Sequence, residues 1–468
     1  MRRPPLPRLR VRAEGPAQAP GREGRGGRDD GSAADSRDAG AGDRAAFLAM
    51  SAAARVDGVL AMDGVRLDEV AARFGTPCYV YSRGAIERAY RDFDEGLAGV
   101  DHLVCYAVKA NSNLAVLDIL QRLGCGFDIV SGGELARVLA AGGEASRVIF
   151  SGVGKSEAEM RSALSAGIRC FNVESEPELD RLDGVARSMG VRAPVSLRVN
   201  PDVDARTHPY ISTGMAGNKF GIPHARALAA YRHAAGLANL EVVGIGCHIG
   251  SQILDSAPLD EALERVLELA AALRKDGVAL EHLDLGGGFG IRYRDEEPID
   301  VREYCARLAR RLAGCGMRVM LEPGRAIVGA AGVLLTRVEY LKLDKAKRFA
   351  VVDASMSELI RPALYGAWHE IAPVVERGGK ADTYDVVGPV CESSDVLGTE
   401  RSLAVQAGDL LAILSAGAYA MAMASNYNSR PLPAEVIADR GKALLARARQ
   451  PESALFALEK RLDDPTAR

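Results

Sequence analysis

Residues able to do chemistry stand at the ends of this chain's short apolar runs. Lys109 closes the run Tyr106-Ala107-Val108, so its amine is aimed out of the end of a sheet. A partly desolvated amine there can lose its proton and attack a carbonyl, whereas a strand-end lysine standing alone is an ordinary solvated cation. Lys109 does not stand alone. Asp128 falls at the end of the next run, Arg198 and Asn200 around a later one, and His248 after the one that follows. Gly286-Gly287-Gly288-Phe289-Gly290 and Glu322-Pro323-Gly324-Arg325 come after the last two. Bare glycine backbone lets several N–H groups approach an anion such as phosphate, although glycines also simply make tight turns. A buried Glu322 is costly unless it meets a cation, and a pyridinium nitrogen, Arg325 or Arg198 would each serve. His248, in Cys247-His248-Ile249-Gly250-Ser251, can lie flat against an aromatic ring while Ser251 donates to phosphate, or it can be a core histidine bonded to backbone.

The elements that must position these residues repeat in a regular way. Apolar, β-branched runs at 103–108, 126–130, 147–150, 169–173, 195–199, 242–248, 282–285 and 318–322 alternate with helical periodicity at 114–123, 133–141, 157–166, 176–189, 259–273 and 302–312. This is the pattern of βα units around a parallel sheet, and eight repeats suit a (β/α)8 TIM-like barrel better than an open doubly wound sheet. In such a barrel the C-terminal strand ends carry the site, and the loops after the seventh and eighth strands bind phosphate. After Pro323 the texture changes to runs at 330–343, 348–352, 381–387 and 410–414 broken by Gly, Pro and Asp, which predicts an antiparallel β-barrel or sandwich. Runs at 56–66 and 76–81 precede the barrel and are expected to complete that β domain. The expected organisation is a tail over 1–45, a barrel over 84–330, and a β domain from 46–83 plus 331–460.

Composition excludes several classes. With 468 residues, 48% of them hydrophobic and 26% charged, and a net charge of -3, there is no electrostatic case for nucleic acid. No apolar stretch approaches the ~20 residues of a membrane span. The eight cysteines form no CxxC pair and read as reduced thiols of a cytoplasmic protein; the seven histidines show no HExxH-type metal pattern. Residues 1–45 are crowded with Arg, Gly, Pro, Ala and Asp; they lack the apolar core of a secretory signal and carry too many acids for a transit peptide, so they are expected to be disordered.

A lysine, a phosphate cradle, a stacking histidine and a carboxylate facing a ring nitrogen together describe a site for pyridoxal 5'-phosphate. The chain resembles the fold-type III pyridoxal phosphate-dependent decarboxylases, and within them the diaminopimelate decarboxylase family. The resemblance runs from about Val56 to Arg449 through YAVKAN around Lys109, Phe127-Asp128-Ile129-Val130-Ser131, HIGSQ from His248, the triple glycine, EPGR from Glu322, GPVCESSD around Cys391, and Gly417-Ala418-Tyr419. It implies that Lys109 forms a Schiff base with the cofactor, His248 stacks on its ring and Glu322 pairs with the ring nitrogen. Asp128, Arg198, Ser251, Gly286, Gly287, Gly288, Gly324, Arg325 and Tyr419 would complete the cofactor site. It further implies a homodimer with shared active sites, in which Cys391 and Glu392 reach the neighbouring barrel and Cys391 donates a proton. For the substrate, meso-diaminopimelate, it places Arg325, Arg361, Tyr365, Glu392 and Tyr419 at the distal amino-acid group. Decarboxylases of ornithine, arginine, carboxynorspermidine or a siderophore intermediate, an alanine racemase, and a non-catalytic regulator are the competing readings.

Overall fold

The structure is a computed structural model, described here for residues 51–204, 219–344 and 347–462. The expected tail over 1–45 lies outside the described residues. Eight parallel strands, His102–Ala107 (β1), Gly126–Ile129 (β2), Val148–Phe150 (β3), Cys170–Val173 (β4), Ala193–Asn200 (β5), Leu240–Gly246 (β6), His282–Asp284 (β7) and Arg318–Leu321 (β8), pair in chain order. The sheet closes when Val319 of β8 falls opposite His102 of β1. Apolar residues on both faces of these strands follow from helices outside and packed side chains inside, and β2, β3 and β4 are buried along their whole length. The short Ile222–Pro223 strand adds to the rim beside β5.

Local signals set the helices that hold the strands in register. The helix Glu157–Ala166 starts on a reciprocal capping box between Ser156 and Glu159 and stops at Gly167, whose φ of 73° is open to glycine at little cost. The helix Arg83–Gly96, unremarked in the sequence reading, buries Ile86, Tyr90 and Phe93 at helical spacing. It lies so close to the helix Val301–Leu312 that a Cβ on Gly96 would sit 2.6 Å from the Cys305 Cβ.

The second sheet is built on Gly332–Leu343 (β9). It pairs antiparallel with Arg348–Val352 (β10), with Leu410–Ile413 and with the pre-barrel strand Cys78–Ser82. That pre-barrel strand is central, pairing on its other edge with Ala434–Asp439. Of the two pre-barrel runs, Cys78–Ser82 therefore joins the second sheet, whereas Ala53–Val56, Val59–Met62 and Val65–Arg66 pair as a three-stranded sheet of their own. Not every pairing is antiparallel: β10 runs parallel to Asp382–Val387, and Cys78–Ser82 runs parallel to Ala434–Asp439. No helix among the described residues is long and apolar enough to cross a membrane.

Where the sheet domain meets the barrel, backbones touch. A Cβ on Gly417 would fall 1.8 Å from the Val328 carbonyl oxygen, so glycine is needed for that approach. The contact carries Tyr419, whose N–H donates to the Ala110 carbonyl at 2.8 Å, while Asn111 Nδ2 donates to the Gly417 carbonyl at 3.1 Å. The turn bearing Lys109 is thereby fixed to the β domain.

Candidate active site

A cavity of about 450 Å³ opens at the C-terminal ends of the barrel strands. Lys109, Arg198, His248, Ser251, Gly288, Glu322, Gly324, Arg325, Arg361, Tyr365 and Tyr419 line it. Eleven of the residues singled out from sequence thus share one wall, although Arg361 and Tyr365 come from a short helix of the second domain.

One end of the cavity is acidic. Lys109 sits in a turn of 3-10 helix, Val108–Ala110, just past β1, and its Nζ donates to Asp128 Oδ2 at 2.5 Å. Asp128 is fully buried behind it, and its Oδ1 has no partner. Glu322 follows β8; its Oε1 accepts from Asn172 Nδ2 at 3.1 Å, and Asn172 also donates to Asp284 Oδ2 at 3.3 Å. Burial, then the nearby Asp128 and Asp284 carboxylates, push the Glu322 carboxyl well above the usual carboxylate range, and burial raises Asp284 as well. Burial by itself would draw the proton off Lys109, but Asp128, Tyr419 and Glu322 outweigh it and hold the ammonium above the ordinary lysine value. The expected amine ready to lose its proton is therefore a cation in this pocket, because buried carboxylates surround it.

Glu322 makes neither of the ion pairs that the sequence left open. Arg198 Nη1 binds Glu174 Oε1 at 2.9 Å, with its guanidinium over Phe220, and Arg325 is held elsewhere. His248 Nδ1 lies 4.0 Å from Glu322 Oε2. His248 Nδ1 accepts the Gly287 N–H at 3.1 Å, which leaves the ring hydrogen on Nε2. Burial, followed by Arg198 and Lys109, pushes His248 well below the ordinary histidine range, so the ring is neutral.

The other end is basic and short of counter-ions. Arg325 is buried; Nη1 donates to Tyr293 Oη at 2.6 Å, Nη2 to Ser251 Oγ at 3.1 Å, and Nε has no partner. Its guanidinium lies 4.8 Å from the Tyr419 ring centroid. Arg361, also buried, lies 4.7 Å over the Tyr293 ring. Among the described residues no carboxylate pairs with either arginine. Two buried guanidinium groups without an acid form a strong site for carboxylate or phosphate oxygens.

The glycines do two jobs. A Cβ on Gly287 would fall 2.1 Å from the Glu322 carbonyl oxygen, one on Gly288 2.3 Å from that of Gly250, and one on Gly286 2.5 Å from that of Cys247. These residues let the loops after β6, β7 and β8 pack backbone on backbone; of the three, Gly288 also reaches the cavity wall, as does Gly324. Asp128, Gly286 and Gly287 lie behind that wall. Cys391 and Glu392 are exposed on this chain and outside its cavity; Glu392 accepts from Ser394 Oγ at 2.9 Å and Tyr427 Oη at 3.0 Å.

Sequence reading missed Asn172, Glu174, Asp284, Tyr293 and His369. Asp284 carried a usable signal, a carboxylate ending an apolar barrel strand, and Asn172 and Glu174 flank the end of β4 in the same way. Nothing in the local sequence marks Tyr293 or His369. The donor set fits pyridoxal 5'-phosphate: a lysine for its carbonyl carbon, a buried carboxylate paired with no arginine for its ring nitrogen, a neutral histidine for its ring, and Gly288, Gly324, Ser251 and a partly unpaired Arg325 for its anion.

Comparison with known proteins points the same way. The family model for "Pyridoxal-dependent decarboxylase, pyridoxal binding domain" matches residues 83–329. A diaminopimelate decarboxylase of Vibrio cholerae is 56% identical over 404 residues, 86% of this chain and 97% of that protein. One of Pseudomonas fluorescens is 57% identical over 408 residues, 87% of this chain and 98% of its own. Among solved structures, diaminopimelate decarboxylase from Helicobacter pylori complexed with L-lysine superposes with a TM-score of 0.81 at 42% identity, covering 84% of this chain and 99% of that one.

Proposed function

The chain belongs to the pyridoxal-dependent decarboxylases and, among them, to the diaminopimelate decarboxylase family; on that premise we propose that it releases one carboxylate of meso-2,6-diaminopimelate as CO2 and leaves L-lysine. The observation that carries the substrate assignment is the two-poled cavity. A lysine among carboxylates lies at one end and two buried arginines without an acid at the other, which suits a substrate whose two amino-acid groups are separated by a short apolar chain.

Lys109 would hold the cofactor through its amine, at the place the substrate's reacting amine must reach. Asp128 fixes its amine by accepting from Nζ. His248 would support the ring face and Glu322 the ring nitrogen, with Arg198 beside His248; Ser251, Gly288, Gly324 and Arg325, with Tyr419 next to Arg325, would frame the phosphate, and Gly286 and Gly287 pack the loops behind them. Bound there, pyridoxal 5'-phosphate supplies the sink for the electron pair left when the carbon–carbon bond to CO2 breaks. Glu322, placed at the ring nitrogen, would favour the transition state more than bound substrate.

The carbon that loses CO2 must gain a proton. Cys391 of the partner subunit is the proposed donor, with Glu392 of the partner subunit at the distal amine, and Arg325, Arg361, Tyr365 and Tyr419 at the distal carboxylate. The exposure of both loop residues on a single chain supports a shared site in a homodimer. Eight free thiols, six of them buried, suit the reducing cytoplasm. The test is subunit exchange: Lys109→Ala and Cys391→Ala should each lose activity on their own, and their mixture should regain part of the wild-type CO2 release, with L-lysine as product. No recovery after verified exchange would place the whole site within one chain.

A further inference from the structure

Arg361 is bonded by a residue outside the cavity lining. His369 is fully buried; its Nδ1 donates to the Leu414 carbonyl at 2.9 Å, which leaves Nε2 as an acceptor, and Arg361 Nε donates to it at 3.3 Å. The imidazole also stands edge-on to the Tyr293 ring at 5.2 Å, and Tyr293 in turn lies under Arg361 and accepts from Arg325. A guanidinium held through Nε against one aromatic face has its plane fixed, and its two terminal nitrogens remain to grip a carboxylate side by side. Burial, followed by the Arg361 charge, pushes the imidazole down to about 3, so the acceptor persists across the working pH range.

We propose that His369 is a positioning residue for substrate selection, locking Arg361 so that the pocket recognises the distal carboxylate rather than the chain that bears it. The proposal rests on the reading of Arg361 as the ligand of that carboxylate. L-Lysine and 1,5-diaminopentane share a carbon chain and both amines and differ only in the carboxylate, so the ratio of their dissociation constants isolates its recognition. Trp368, the chain's single tryptophan, lines the cavity, and its emission in the holoenzyme reports occupancy. His369→Leu should lower the preference for L-lysine by about 10- to 100-fold, the worth of one hydrogen bond to a charged group, and leave 1,5-diaminopentane binding unchanged. His369→Gln, whose amide oxygen can accept the same N–H, should keep the ratio within about threefold of wild type.

If His369→Leu does not fold, Arg361→Lys carries the test, because it keeps the charge and removes the Nε–H; its ratio should fall by a similar factor. A ratio within about threefold of wild type in His369→Leu or Arg361→Lys, or an equal loss in His369→Gln, overturns the proposal. Arg361→Ala separates the two levels. If it also leaves the ratio intact, the carboxylate reading itself fails; if it alone collapses the ratio, only the role of His369 falls.

Discussion

The charge on a few buried atoms sets this site's chemistry. Two carboxylates, Asp128 and Glu322, bear on one ammonium, with Asp284 bridged to Glu322 by Asn172, and burial makes such a cluster expensive until a further cation joins it. Lys109→Ala should therefore abolish both turnover and the visible absorbance of the lysine-linked cofactor, and reductive trapping of the wild type should label Lys109; a label on another lysine would refute the assignment. Glu322→Gln keeps the shape and the Asn172 contact but not the charge. It should lower kcat by about 10²- to 10³-fold with little change in KM, as expected for a group acting mainly on the transition state. An unchanged kcat would remove Glu322 from the mechanism. These two residues were legible in sequence because each closes an apolar barrel strand. Tyr293 and His369 were not, since they lie 76 positions apart and meet only where the barrel abuts the second sheet.

At the scale of elements, the loops after β6, β7 and β8 act as one packed unit, held by glycines whose missing side chains leave no slack. In Gly287→Ala the new methyl would collide with the Glu322 carbonyl, a backbone atom that cannot swing aside. Overpacking of this kind costs about 1–3 kcal/mol, and the shift would carry Glu322 and the His248 contact with it. Lower unfolding stability together with weaker cofactor binding is the expected result, measured by denaturant titration and by Trp368 emission; wild-type values for both would show that the loops tolerate the methyl. The barrel strands were readable to within a residue or two because their periodicity is that of buried parallel strands. The helix Arg83–Gly96 was missed among its dense arginines and acids, and Val396–Leu403 and Ala434–Asp439 because alternation there is weak.

At the scale of the whole molecule, folding buries neutral histidines and so ties stability to pH. His282 inside the barrel is pushed down to about 3 by burial, then by Arg169 and Arg318. The unfolded chain takes up that proton near the ordinary value of about 6.5, so this contribution is full above that pH and is lost as pH falls toward 3. Each such group contributes a slope of about 1.4 kcal/mol per pH unit, and carboxyls with raised values, such as Glu322, work in the opposite sense. His282→Gln should remove one group's slope between about pH 6 and 4 in unfolding measured across pH; an unaltered slope would mean the imidazole is protonated in the fold. The proposed sharing of Cys391 between chains was not legible from its own neighbourhood, because a cysteine between Val390 and Glu392 reads in sequence as an ordinary thiol. The specificity of the holoenzyme tests the central claim most directly. A site built around two arginines for a second amino-acid group rejects analogues lacking its carboxylate by about 10⁴- to 10⁵-fold in kcat/KM. The expected result of CO2-release assays is a preference of that order for meso-diaminopimelate over L-lysine and L-ornithine, whereas rates within about tenfold of one another, a difference of only about 1.4 kcal/mol, would contradict the account.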